Sequence, residues 1–182
     1  LVLEGTQIGT GTDLKACQAG QWSCIINGST GLAINATVNE GQYTMNVTNV
    51  ASSSLPSWWG RGLYYKSSQP FDLNKNYKLS FNASGITNDN KLNLYVVYYD
   101  GSSTYQSYGF DNNTSTVYFK TINEGDNTYT IIPSRLSDKV GGTPTFSENT
   151  TQTDFIIGFT LNSNNVANYT ISNVVLQAIN NN

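Results

Sequence analysis

Histidine is absent from this 182-residue chain. Without it there is no Ser-His-Asp or Cys-His nucleophile and no imidazole to ligate a metal. Charge is scarce too: 9 Lys and Arg stand against 12 Asp and Glu, a formal net of −3. No basic stripe exists to neutralise a phosphate backbone, so nucleic acid is not an expected partner. Long apolar runs are also missing. The largest clusters, "LYVVYY" and "DFIIGF", are strand-sized, well short of the roughly 18 residues of a spanning helix, so no membrane insertion is expected. No segment carries a capped apolar stripe at helical spacing; "SRLSDKV" (134–140) reads at most as one helical turn.

What fills the chain instead is uncharged polarity: 24 Asn, 21 Thr, 19 Ser and 12 Tyr. Such a surface stays wet through amides and hydroxyls, a composition common outside cells. Asn-x-Ser/Thr acceptors occur at Asn27, Asn35, Asn46, Asn82, Asn112, Asn113, Asn149 and Asn168. N-linked glycans are therefore the expected covalent additions, and no other cofactor is. Composition alone would give roughly five such acceptors, so the excess is small.

The 12 carboxylates offer no recognisable acid pair for glycoside chemistry. Glu124, Asp126 and Asp111 fall in turn-like stretches, where acids usually serve turn geometry. "DNN" (111–113) and "EGDN" (124–127) supply oxygen ligands without EF-hand spacing, so no metal site is assigned. The chain reads as a non-enzyme.

Cys17 and Cys24 bracket "KACQAGQWSC". The spacing suits neither a four-ligand zinc site nor a C-x-x-C redox pair. It reads as a structural disulfide, which would stabilise by roughly 2–3 kcal/mol and imply an oxidising compartment. A chain that begins "LVLEGT" without Met reads as secreted and processed. Trimming for expression is the plain alternative.

Period-two patterning dominates. Strands are expected at 1–8, 32–38, 42–50, 58–66, 76–84, 91–99, 104–110, 115–122, 127–133, 154–162 and 168–179, separated by turns such as "NEGQ", "SSQP", "TNDNK" and "DGSS". Asp100-Gly101 marks a hairpin tip. A slip in alternation at Ser172-Asn173 suggests a β-bulge. The two apolar runs should be central strands. This spacing predicts an all-β antiparallel sandwich, jelly-roll or Ig-like, with an extended N-terminal strand. It divides into an arm, 1–12, and a sandwich domain, 13–182.

Two resemblances bear on function. The first rests on "WWGRGLYYKSSQPFDLNKNYKLSFNASG" and the late "YTISNVVLQ". It covers about a third of the chain and resembles sandwich modules appended to secreted polysaccharide-degrading enzymes. It implies a sugar-binding platform at Trp58, Trp59 and Arg61, with Tyr64 or Tyr65 beside them and Trp22 nearby. The alternative for the Trp pair is core packing, since adjacent strand residues face opposite ways.

The second rests on the whole chain: an apolar start, a small cysteine loop and a sequon-rich, His-free sandwich. It is similar to subunits of archaeal cell-surface threads. That resemblance implies a donor strand, "LVLEGTQIGT", with Leu1, Val2, Leu3, Thr6 and Ile8 inserting into the next copy. Head-to-tail repetition would give a homopolymeric filament at the cell surface, serving adhesion or biofilm. The competing reading keeps residues 1–10 as a strand of their own domain. The filament is the first expectation. A secreted carbohydrate-binding module, with surface polysaccharide as partner, is the alternative.

Overall fold

The computed structural model describes residues 3, 8–11, 17–26, 33–39, 41–49, 61–69, 72, 74–99, 105–110, 119–137, 155–163 and 165–179, with side chains left out at 98–99, 105–109 and 134–137. These residues form twelve strands and no helix: β1 (Ile8–Gly11), β2 (Trp22–Ile26), β3 (Ala33–Asn39), β4 (Gln42–Asn49), β5 (Arg61–Lys66), β6 (Asn76–Ser84), β7 (Leu92–Tyr99), β8 (Tyr105–Phe110), β9 (Lys120–Thr121), β10 (Gly125–Ser137), β11 (Phe155–Leu161) and β12 (Ala167–Ile179).

Alternation places the side chains. In β4, Tyr43, Met45 and Val47 are buried while Thr44 and Asn46 are half-buried and Thr48 is exposed. In β6, Leu79, Phe81 and Ala83 point inward and Lys78 and Ser84 lie exposed. β11 is buried at every position, as its continuous apolar run demands of a central strand.

Neighbouring strands follow the order β1-β2-β5-β11-β7-β8-β10-β6-β12-β4-β3, with β9 attached to β7. β8 pairs with β7 on one side and β10 on the other, so it joins two layers. The first layer holds β1, β2, β5, β11 and β7; the second holds β10, β6, β12, β4 and β3. Rings from the two layers meet between them. Trp22 of β2 stacks on Tyr43 of β4 at 4.2 Å between centroids. Phe81 of β6 meets Phe159 of β11 edge-on at 4.9 Å. This is the antiparallel β-sandwich that the strand spacing predicts.

The N-terminal segment belongs to this core. Leu3 is buried within it. Its N–H donates to the Val174 carbonyl at 2.9 Å, and Trp22 Nε1 donates to the Leu3 carbonyl at 3.4 Å. β1 runs parallel to β2, with Ile8 opposite Trp22. Within the expected arm over 1–12, Leu3 and Ile8–Gly11 thus pack and pair within the same chain. The arm's glycine-broken alternation left only Leu3 and Ile8 of the described residues to anchor it, which hid its place. Leu1, Val2 and Thr6 lie outside the described residues.

Other local expectations resolve similarly. β2 lies inside the expected cysteine loop, because Trp22, Cys24 and Ile26 face the core cluster while Ile25 faces outward. Both cysteines are buried, and no disulfide joins them. Cys24 sits in the core cluster and Cys17 in the outer one, and the expected bridge is absent. Residues 134–137 continue β10 rather than making a helical turn. The slip in β12 is a bulge between Ser172 and Val175, with Asn173 at φ +54°, a conformation that Asn tolerates better than most residues. Gly85, at φ +90°, closes the β6 end; a Cβ there would collide with the Asn168 carbonyl oxygen. Glu124 holds that turn by accepting the Ile86 N–H at 2.7 Å. The turn role expected of this acid is what it performs.

Candidate functional site

The outer face of the first layer differs from an ordinary solvated sheet face. Register fixes one row across it: Gly9 opposite Ser23, Ser23 opposite Tyr64, Tyr64 opposite Gly158, and Gly158 opposite Tyr95. Directly opposed residues share a face. Tyr64, Tyr95, Ile25, Val97, Ile156 and Cys17 pack into a second apolar cluster there, with Phe119 against it. Tyr95 and Phe119 stack at 5.5 Å.

Gly158 is what lets the row lie flat. A Cβ at that position would sit 2.7 Å from the Tyr64 ring, so only a glycine seats the ring there. Tyr64 is wholly buried. Burial pushes its phenol well above the usual tyrosine range; Cys17, Cys24 and Tyr95 push the same way, and Arg61 opposes them. The phenol therefore stays neutral, a fixed dipole rather than a charge.

The adjoining row is polar. Gly62 lies opposite both Ile25 and Thr160, Thr160 opposite Asn93, and Asn93 opposite Thr121. Asn93 Oδ1 accepts from the Thr121 hydroxyl at 3.1 Å and from Asn162 Nδ2 at 3.2 Å. Thr160 and Asn93 are both buried.

At the β1–β2 end of the face, a cavity of about 350 Å³ opens among Ile8, Gly9, Thr10, Gln18, Gln21, Trp22 and Ser23. That volume lies within the about 300–1,000 Å³ range of small-molecule sites. Among the described residues, its polar side chains are hydroxyls and amides, and none is charged. Gln21 Oε1 is buried without a hydrogen-bond partner. A buried acceptor left unpaired costs on the order of 1–3 kcal/mol, so a turn of the Gln21 side chain toward the cavity it lines would let this oxygen take a donor from a ligand.

The expected sugar-binding residues are placed as follows. Trp58 and Trp59 lie outside the described residues. Arg61 opens β5 but is only 3% exposed, so it does not edge an open ring as expected. Burial lowers its pKa, and the nearby Tyr64 partly offsets this. Tyr65 points into the core, tilted against Trp22 at 5.4 Å. Trp22 is fully buried, and so belongs to the core rather than to a surface patch. Gln18, Gln21, Thr10, Tyr95 and Asn93 were not legible as site residues. The one available signal was "LYVVYY", whose two apolar faces require cover on both sides. Among the described residues no group of three His, Cys, Asp or Glu comes together. Of the expected glycan acceptors, Asn35 and Asn168 are exposed and Asn46 and Asn82 half-buried, all in the second layer. Asn27, Asn112, Asn113 and Asn149 lie outside the described residues.

No protein-family model matches the chain, and no curated protein sequence matches it. Solved structures do. One is a putative sugar binding protein from Bacteroides thetaiotaomicron VPI-5482, 13% identical, covering 94% of both chains at a TM-score of 0.64. Another is a family 4 carbohydrate-binding module, 14% identical, covering 87% of this chain and 86% of the other at a TM-score of 0.54. At such identity the likeness establishes the shared β-sandwich fold. It also corrects the first functional expectation. The chain shares its architecture, end to end, with a protein named for sugar binding rather than with a filament subunit. Its N-terminal strand is seated in its own sandwich rather than offered to a neighbour.

Proposed function

We propose that this chain is a carbohydrate-binding module. It is a non-catalytic domain working outside the cell, and it holds a neutral polysaccharide against the outer face of its first layer. The observation that carries the reading is the β1–β2 cavity. Its described lining carries hydroxyls and amides and no charge, and it includes Gln21, whose buried Oε1 has no hydrogen-bond partner. A sugar hydroxyl supplies the donor that oxygen lacks, while the hydroxyls of Thr10 and Ser23 and the amide of Gln18 answer neighbouring hydroxyls. The absence of charge in the lining disfavours uronic or sulfated chains, whose anions would lose hydration without gaining a counter-charge.

Tyr64 and Tyr95 are too deeply covered to stack on a sugar. Their part is structural: with Gly158 and Phe119 they make a rigid floor that fixes Ser23 at the cavity edge. Trp58 and Trp59, which precede β5 in the chain, are the aromatic candidates that the sequence offers for stacking on a pyranose face. The shared fold of the Bacteroides sugar binding protein and the family 4 module supports the same reading.

Affinity electrophoresis in gels cast with neutral polysaccharides tests it. The intact chain is expected to be retarded by at least one of them. Gln21→Ala should weaken retention about tenfold, the equivalent of roughly 1.4 kcal/mol for a lost buried hydrogen bond. Trp58→Ala and Trp59→Ala identify which ring stacks. Free migration of the intact chain through every neutral polysaccharide would sink the proposal.

A further inference from the structure

The outer face of the second layer carries a different pattern. All four acceptor asparagines among the described residues project from it, each with its Ser or Thr two positions on. Asn35 of β3 lies directly opposite Asn46 of β4, and Asn46 directly opposite Asn168 of β12. The next row repeats this with hydroxyls: Thr37 opposite Thr44, Thr44 opposite Thr170, and Thr170 opposite Ser84. Thr44 and Thr170 share a hydroxyl hydrogen bond of 3.2 Å. The third row reaches Asn82, which lies opposite Ser172 on one side and Asp126 on the other.

Register makes these acceptors unequal. Neighbouring strands are about 4.8 Å apart, so Asn46 stands one strand spacing from an acceptor on each side. Asn35 and Asn168 stand two spacings apart, roughly 10 Å. A pyranose linked to an asparagine is broader than one strand spacing, so adjacent acceptors exclude each other and alternate ones do not. Asn35 and Asn168 are exposed, whereas Asn46 is half-buried between them. At Asn82 the nitrogen is engaged: Nδ2 donates to Asp126 Oδ1 at 3.0 Å.

We infer that this face bears glycans, modified at Asn35 and Asn168 and left bare at Asn46 and Asn82. The donor is a polyprenyl-phosphate-linked oligosaccharide. The amide nitrogen attacks C1 of the sugar nearest the lipid and forms a C1–N bond. The C1–O bond to phosphate breaks, the lipid phosphate leaves with that electron pair, and the amide loses one proton to the transferase's base. No redox partner is involved. The result is a molecule with two sugar relationships on opposite faces: covalent glycans on the second layer and, independently, the cavity on the first.

Peptide mass spectrometry tests this on the full chain secreted from an N-glycosylating host, with occupied sites marked by enzymatic deglycosylation in heavy-oxygen water. The expected result is glycan at Asn35 and Asn168, with Asn46 and Asn82 several-fold less occupied. In the Asn35→Gln/Asn168→Gln variant, Asn46 should gain occupancy several-fold, because its neighbours no longer exclude it. Thr37→Ala removes the Asn35 signal while keeping its asparagine, and serves where the double variant folds poorly. Bare Asn35 and Asn168, full occupancy of Asn46 beside them, or no glycan on the chain at all would each overturn the inference.

Discussion

Cys24 shows how much a single residue's surroundings decide. Burial pushes its thiol up to about 11, and it lies at 2% exposure in the core cluster. It is a protonated, inert thiol at neutral pH. Cys17 is equally enclosed, but within the outer cluster beside Tyr64. Short spacing suggested a bridge because spacing is all a sequence offers. Cys24 packs with the inner cluster and Cys17 with the outer one, although both lie near Tyr64. Titration with a thiol reagent should therefore find 2 thiols per chain in denaturant without reductant, and close to none in the native protein. A chain that shows no thiol until a reductant is added has the bridge after all. Gly158 makes the same point from the opposite direction. Nothing in "FIIGF" announces that its glycine is the seat of Tyr64, whose ring would press on any side chain there.

Among the elements, the N-terminal strand carries the largest correction. Leu3 fills the core, its N–H is spent on Val174, and its carbonyl receives the Trp22 indole. Leu3→Ala should then destabilise the isolated chain by about 2–5 kcal/mol, the usual span for truncating a buried leucine. Denaturant unfolding measures it, and sedimentation should show the same species before and after the change. If the strand were seated in another copy, the substitution would leave monomer stability unaltered and dissolve an assembly.

β6, β7, β11 and β12 were legible almost to the residue, because each alternates, with one slip in β12, or is nearly apolar throughout, and turn residues punctuate them. β2 was not. Its Trp22, Ser23, Cys24 and Ile25 are buried on both faces, so it shows no alternation, and its cysteine drew it into a supposed loop. Tyr64 and Tyr65 expose a related limit: one faces the outer cluster and the other the core, and two adjacent tyrosines give no sign of which is which.

For the whole molecule, the sandwich presents two unlike faces. The first layer's outer face carries an apolar, glycine-notched row beside a polar one, and it ends in a cavity whose described lining is uncharged. The second layer's is ruled by Asn, Thr and Ser in register. The sequence made the sandwich legible, since strand count and spacing depend on local pattern. It did not reveal the cavity, because Thr10, Gln18, Gln21 and Ser23 become neighbours only when β1 docks in parallel on β2. Calorimetric titration of the intact chain with neutral and with uronic-acid polysaccharides tests the central claim most directly. Saturable binding to a neutral chain, weakened about tenfold by Gln21→Ala and absent for the uronic one, is the predicted result. Binding confined to the anionic chain, or to neither, would contradict it.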